Sequence, residues 1–477
     1  MKARISDILS KKTLKAFSEG PFYPVVIAMV ALFGSLTGFE IVLNLVFIAL
    51  TCVSLAVCDT LKPFTASLCI FIFQLSVKNS PFYPSYSKHY LTGWRFPALI
   101  ISAMALIGFL IYFIVKNELY RGLSLKKTPL LLPLLVLSAS LLLNGAFSDA
   151  WSYKNLIYAS AQIAAFLFVF ILLYQGFKNE KADALGSYFA YLSMIMALII
   201  SIEVIALYLT SDNIFIDGAI NKVGVALGWG IWNLVGASAV VLIPMNFYGM
   251  AKNKYPWLYF SVATLIWLVS ILSMSRNALI FGTLSYAACV LIFSFVGEKK
   301  KIFRIIVLIG IAAAGLFAIV FFDKIYSLFK DFFDRGLSDN GRYALWRSAF
   351  KNFLEAPVFG KGFYGFNTPV DTFGPMPESA HNTVFQLLSA GGAVSLLAYA
   401  FYRFKTAIPF IKKPCLLKTM LGISVLALIL GSLLDNFIFD IYPTFYMSAS
   451  LAIAFKKYNE ENEAHDSLAE QSSRNKN

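Results

Sequence analysis

Residues 273–301 read SMSRNALIFGTLSYAACVLIFSFVGEKKK. From Asn277 to Val296 the stretch is uncharged, and at about 1.5 Å per residue it is long enough as a helix to cross roughly 30 Å of hydrocarbon. Lysines 299 to 301 close one end, and a lone arginine, Arg276, opens the other from a tight Ser-Met-Ser-Arg-Asn turn.

The same pattern recurs along the chain, with spans near 22–38, 40–58, 61–77, 96–115, 128–144, 154–176, 184–210, 231–250, 255–273, 277–296, 302–322, 381–404, 415–434 and 437–456. The 477 residues are 58% hydrophobic and only 14% charged, which excludes a soluble globule, where charge nears a quarter. Runs of this length satisfy their own backbone only as helices, and they lack the alternation of a membrane barrel. The expected fold is an all-α polytopic membrane protein, a bundle of about 12–14 transmembrane helices with one large extracytoplasmic loop that contains short helices.

Basic residues fall on alternate connections: Lys116, Arg121, Lys126 and Lys127, then Lys178 and Lys181, Lys252 and Lys254, Lys299 to Arg304, and Lys412, Lys413 and Lys418. The positive-inside rule makes those loops cytoplasmic. The N-terminal Lys2, Arg4, Lys11, Lys12 and Lys15 join them, as do Lys456 and Lys457, so both termini are expected inside. No small-residue cleavage site follows the first basic stretch, so it reads as an uncleaved start. The resulting division is a basic N-terminal segment (1–20), transmembrane helices (21–322), an extracytoplasmic loop (323–380), further transmembrane helices (381–457) and a polar, unstructured cytoplasmic tail (458–477).

The net charge of +14 is spread over these loops rather than gathered on one domain, which points to topology and anionic membrane lipid and away from nucleic acid. Cys52, Cys58, Cys69, Cys289 and Cys415 lie in or beside apolar spans, so neither a disulfide framework nor a zinc site is indicated. No outward carboxylate pair and no phosphate-binding glycine loop is present, so no metal and no cofactor is called for.

Three cationic or titratable residues sit on the face opposite the lysine-rich loops, and together they ask for an anionic ligand. Arg276 stands in the turn quoted above; taken singly, an interfacial arginine is as often a snorkelling anchor. Arg342 begins a loop helix, GRYALWRSAFKNFLEAP, capped in this reading by Asp339 or Asn340 and closed by Pro357. At 100° per residue Arg342 shares a stripe with Trp346, Ala349, Phe350 and Phe353, while Lys351 faces water. A guanidinium on that stripe, at a helix N-terminus, suits a phosphate; the bland alternative is an ion pair with Asp334, Asp339 or Glu355. His381 opens the next span just after Glu378 and is one of three histidines, with His89 and His465 in weaker positions. Glu203, near the outer end of its span, is an intramembrane acid and so a functional candidate, unless it bonds a neighbouring helix. Gly391-Gly392 inside a span reads as close helix packing, and outer-loop aromatics such as Trp94, Tyr83, Tyr86 and Phe373 are candidate sugar platforms.

Ser275-Arg276, Gly341-Arg342 through Trp346, Glu355-Ala-Pro357-Val-Phe-Gly360-Lys-Gly362, His381-Asn382 through Gln386 and Gly391-Gly392 occur in an order that resembles the O-antigen ligase and polymerase superfamily of bacterial envelope proteins. The resemblance is detailed over 270–405 and extends in topology to the whole chain. It implies a metal-independent membrane glycosyltransferase acting outside the bacterial cytoplasmic (inner) membrane. The donor would be a glycan on undecaprenyl diphosphate, and the acceptor a glycan, a lipid or a wall polymer. Arg276, Arg342 and His381 would be catalytic, the arginines gripping the diphosphate and the histidine serving the acceptor hydroxyl; Arg347, Trp346, Glu378, Asn382 and Glu203 would line the substrate. The residues support that chemistry independently, since a diphosphate leaving group needs charge neutralisation and the attacking hydroxyl needs a base. A flippase moving the lipid-linked sugar without chemistry is the competing reading. It calls for matched halves with charges along midplane spans, whereas the spans here are nearly charge-free.

Overall fold

The computed structural model describes residues 10–37, 39–74, 93–149, 151–212, 214–296, 300–334, 341–365, 379–437 and 441–474. The chain folds as helices α1 (Lys11–Glu19), α2 (Phe22–Thr37), α3 (Glu40–Val57), α4 (Lys62–Gln74), α5 (Arg95–Lys116), α6 (Leu131–Leu142), α7 (Tyr153–Gly176) and α8 (Ala182–Thr210). A two-stranded antiparallel hairpin follows, β1 (Phe215–Ile216) with β2 (Ala219–Ile220), Phe215 opposite Ile220. Then come α9 (Trp232–Lys252), α10 (Pro256–Leu272), α11 (Arg276–Phe295), α12 (Lys300–Val320), α13 (Phe322–Leu328), α14 (Lys330–Asp334), α15 (Arg342–Glu355), α16 (Thr383–Ile411), α17 (Leu416–Gly431) and α18 (Ile441–Arg474). It is the expected all-α polytopic fold.

Apolar helices stand at each expected span, but their lengths differ. Among the described residues, α5, α7, α8, α9, α11, α12 and α16 are long and apolar enough to cross a membrane singly. Helix α6 is 12 residues, about 18 Å, so it covers only part of the span expected at 128–144. Its chain leaves the helix to meet the segment after α15, as described below. The most enclosed span is α9, buried from Leu234 to Gly249 and surrounded by α8, α10, α11 and α17. Helices α5 and α12 show Ile, Leu and Phe outward, as a lipid-facing surface does.

The lysine-rich connections gather at one end of the bundle. Lys15 and Lys116 both bind Asp59 (2.5 and 2.8 Å), Lys62 binds Glu180 (2.6 Å), Lys457 binds Asp183 (2.7 Å) and Lys418 binds Glu461 (2.5 Å). These contacts correct the expectation of an unstructured tail: α18 runs on to Arg474. Glu460 accepts the free N-terminal amide of α8 at Ala182 (3.0 Å) and Lys413 bonds Asn462 (3.2 Å), so the polar tail is ordered by anchoring rather than by an apolar face.

At the other end, the Pro-x-x-Gly-x-Gly turn and the Gly-Gly pair prove to be two halves of one joint. Gly392 takes φ +63° and breaks α16, and the segment 357–362 lies in the break. Ala393 and Val394 donate to the carbonyls of Pro357 and Val358 (2.8 and 3.2 Å), Lys361 and Gly362 to those of Ser389 and Ala390 (2.9 and 2.8 Å), and Gly145 to that of Phe359 (2.8 Å). A Cβ on Gly360 would lie 2.4 Å from the carbonyl carbon of Ala390, and one on Gly392 2.4 Å from the oxygen of Val358. Gly392 therefore admits a backbone strand into a helix rather than the close helix packing expected from sequence, Gly391 lies tight against Asn144 just after α6, and the inserted segment bonds backbone groups on both sides of the break. This joint fixes α15 against α16.

A cationic cleft beside a histidine and carboxylate pair

Helix α15 starts at Arg342 with Gly341 in the N-cap position and no side-chain cap, whereas Asp339 and Asn340, expected to cap it, lie outside the described residues. Its buried face is Ala349 and Asn352, with Leu345 packed beside Ala380 and Phe385. Phe350, expected on that stripe, is exposed, because Asn352 instead turns inward to bond the Ser389 hydroxyl (3.1 Å). Lys351 points to solvent as expected, its side chain 77% exposed.

The turn after α17 organises the site. Asp435 is almost buried, and both of its carboxylate oxygens are engaged: Oδ1 lies 2.9 Å from Nδ1 of His381 and accepts from the Asn436 amide (2.9 Å), while Oδ2 accepts from Nδ2 of Asn233 (2.7 Å). The same turn takes Nδ2 of Asn277 on the Gly431 carbonyl (2.8 Å), Nδ2 of Asn382 on that of Leu433 (2.7 Å) and the amide of Thr383 on that of Ser432 (2.9 Å). The first turns of α9, α11 and α16 thus converge on one short loop. Burial pushes the Asp435 carboxyl up, but the His381 hydrogen bond and charge, the Asn436 amide and the Arg342 guanidinium outweigh it and hold the group below its usual value. His381 itself adopts φ +47°, a strained conformation for a non-glycine residue, held by its amide on the Ser379 hydroxyl (3.1 Å).

Beside this pair opens a small, polar cleft lined by Lys222, Asn233, Met274, Arg276, Asn277, Phe332 and Arg342. Arg276 and Arg342, 66 residues apart in sequence, therefore face the same space, and Asn233 joins that space to Asp435 and His381. Arg342 and Arg276 are both half-buried.

The other sequence candidates are placed away from the cleft lining. Trp346 donates its indole N–H to the Ala380 carbonyl (3.0 Å) and stacks on Phe385, which docks α15 onto α16. Asn382 caps α16, its Oδ1 accepting from the amides of Val384 and Phe385 (2.8 and 3.2 Å). Glu203 is buried and accepts from the indole of Trp229 (2.6 Å), in the connection before α9. Arg347 is exposed. Glu378, His89, Tyr83, Tyr86 and Phe373 fall outside the described residues. Sequence reasoning missed Asp435, Asn233 and Lys222. The available signal was position: Asp435 lies in the connection between the last two spans, which the positive-inside reading expects outside, and Lys222 is the single cation of 211–230, on the same expected side.

Comparison with curated proteins finds no match to this chain. Residues 260–400, which hold Arg276, Arg342 and His381, match the family model described as O-antigen ligase. That match covers 141 of the 477 residues; it supports the resemblance to the O-antigen ligase and polymerase superfamily and, with it, a glycosyltransferase-like role in the assembly of surface polysaccharide.

Proposed function

We propose that the chain transfers a glycan from an undecaprenyl diphosphate donor to an acceptor hydroxyl at the extracytoplasmic face of the bacterial cytoplasmic membrane. The observation that carries this reading is the convergence of Arg276 and Arg342 on one cleft whose wall residue Asn233 is bonded to the carboxylate beside His381. Two guanidinium groups match the two charges of a diphosphate diester, each charged hydrogen bond contributing roughly 1.5–3 kcal/mol. In the transfer the acceptor oxygen bonds to the anomeric carbon while the bond from that carbon to the diphosphate oxygen breaks, its electron pair leaving with the lipid diphosphate. The hydroxyl proton passes to His381. An ionised Asp435 has no proton to donate, so Nδ1 of His381 carries one toward it and Nε2 presents the lone pair that accepts the acceptor's proton. The arginines supply the charge neutralisation, and the reading asks no metal of the site.

The test is donor affinity and transfer rate on purified variants in nanodiscs. His381→Ala retains near-normal donor affinity while transfer falls by roughly 10²–10⁴, the usual share of a general base. Arg276→Ala weakens donor binding as well. Retained transfer in His381→Ala removes the base assignment. The same chemistry serves a polymerase and a ligase, which differ in whether the acceptor is a glycan, a lipid or a wall polymer.

A further inference from the structure

Lys222 comes from outside the stretch that matches the O-antigen ligase model, yet it lines the same cleft as the two arginines. Its position is built, not incidental. The hairpin residues Ile214, Ile220 and Val225 are buried together with Met274, two residues before Arg276. Tyr208, Trp232, Phe329 and Phe332 pack around them, and the Asn221 amide closes the hairpin on the Ile214 carbonyl (2.7 Å). Met274 itself holds φ +58°, so the turn that presents Arg276 is strained into the shape the hairpin covers. Lys222 then lies with its ammonium 4.6 Å from the centre of the Trp232 ring, and the next residue, Asn233, is the one that holds Asp435.

Charge counting gives this third cation a task that the arginines leave undone. A glycosyl lipid diphosphate is a diester with two ionised oxygens, which Arg276 and Arg342 balance in the bound state. When the glycosidic bond breaks, the electron pair settles on the terminal phosphate oxygen and a further negative charge develops there. A positive group aimed at that oxygen is stronger in the transition state than in the ground state, and only such interactions raise the turnover rate. We propose that Lys222 is a further catalytic residue, the cation that meets the charge appearing on the departing diphosphate. This rests on the glycosyl-transfer reading above.

The experiment uses the full chain in nanodiscs with undecaprenyl-diphosphate-linked oligosaccharide, and it measures donor affinity and single-turnover rate at saturating donor. Lys222→Met keeps the aliphatic stem against Trp232 and removes the charge. Its single-turnover rate is expected to fall by about 10- to 100-fold, with donor affinity changed by less than about threefold, and Lys222→Arg is expected to recover most of the rate. An unchanged rate overturns the assignment, as does a loss confined to affinity or an inactive Lys222→Arg. Arg342→Ala in the same assay separates the two levels of inference. If Arg342→Ala fails and Lys222→Met does not, the Lys222 role alone is wrong. If the native chain transfers nothing, or Arg342→Ala transfers as well as the native chain, the glycosyl-transfer reading falls and takes this one with it.

Discussion

Nδ1 of His381 lies 2.9 Å from Oδ1 of Asp435, across 54 residues of sequence, and the other oxygen of the same carboxylate is held by Asn233 at 2.7 Å. A carboxylate fixed from both sides sets the ring orientation and the protonated nitrogen of the histidine. Asp435→Asn keeps the shape and loses the charge, so transfer is expected to fall by about 10²–10⁴ with donor affinity nearly unchanged. Transfer assays alongside donor titration check this, and full activity in Asp435→Asn would show that the ring needs no charged partner.

The lowered Asp435 pKa also gives a pH dependence. A carboxyl held below its unfolded value contributes stability at pH above that value and loses it only as pH falls through the folded pKa. The melting-temperature gap between the native chain and Asp435→Asn in detergent is therefore expected to persist from about pH 8 to pH 5, and to close only below the ordinary carboxylate value of about 3.9. Closure between pH 7 and pH 5 would contradict the ionised, buried carboxylate.

Arg342→Lys is expected to fail nearly as badly as Arg342→Ala, because the charge remains but the planar, bidentate fork is lost. Lys351→Ala, on the solvent face of the same helix, is expected to retain activity. Measured transfer by the lysine variant at the native rate would reduce Arg342 to a point charge or an anchor.

The joint between residues 357–362 and the break in α16 makes a separate prediction about stability. Gly360→Ala forces a Cβ to within 2.4 Å of the Ala390 backbone at φ +64°, where the backbone strain alone costs about 1–3 kcal/mol. Thermal unfolding is expected to shift well below that of the native chain, with transfer lost in proportion as α15 detaches from α16. A native melting temperature would mean that the joint is not closed as described.

Much of this was legible in the sequence, for identifiable reasons. Spans, the lysine-rich end and the three exceptional residues Arg276, Arg342 and His381 follow from the cost of charge in hydrocarbon and from loop bias, both of which are local properties. Asp435 and Asn233 were not legible, because their roles exist only where the first turns of α9 and α16 meet the loop after α17, a contact spanning 202 residues from Asn233 to Asp435. Trp346, Asn382 and Glu203, read from sequence as lining the substrate, are each bonded within the protein. A polar or aromatic group among apolar residues must find some partner. Gly392 had two physical meanings, helix contact and helix interruption, and only the facing segment 357–362 decides between them.

The topology is open to a direct check. Lys351→Cys, on an exposed helix face, is expected to react with an impermeant thiol reagent added outside intact cells, against native cysteines of which Cys52, Cys58, Cys69 and Cys289 are buried. Labelling only after lysis would invert the assigned orientation.

The most direct measurement reconstitutes the purified chain in sealed vesicles with undecaprenyl-diphosphate-linked oligosaccharide, an acceptor and a chelator, and follows both the glycan and the freed lipid. Glycan on the acceptor with stoichiometric release of undecaprenyl diphosphate, abolished in Arg342→Ala, is the predicted result. Passage of the intact lipid-linked oligosaccharide across the bilayer with no lipid diphosphate released would contradict it and identify a transporter.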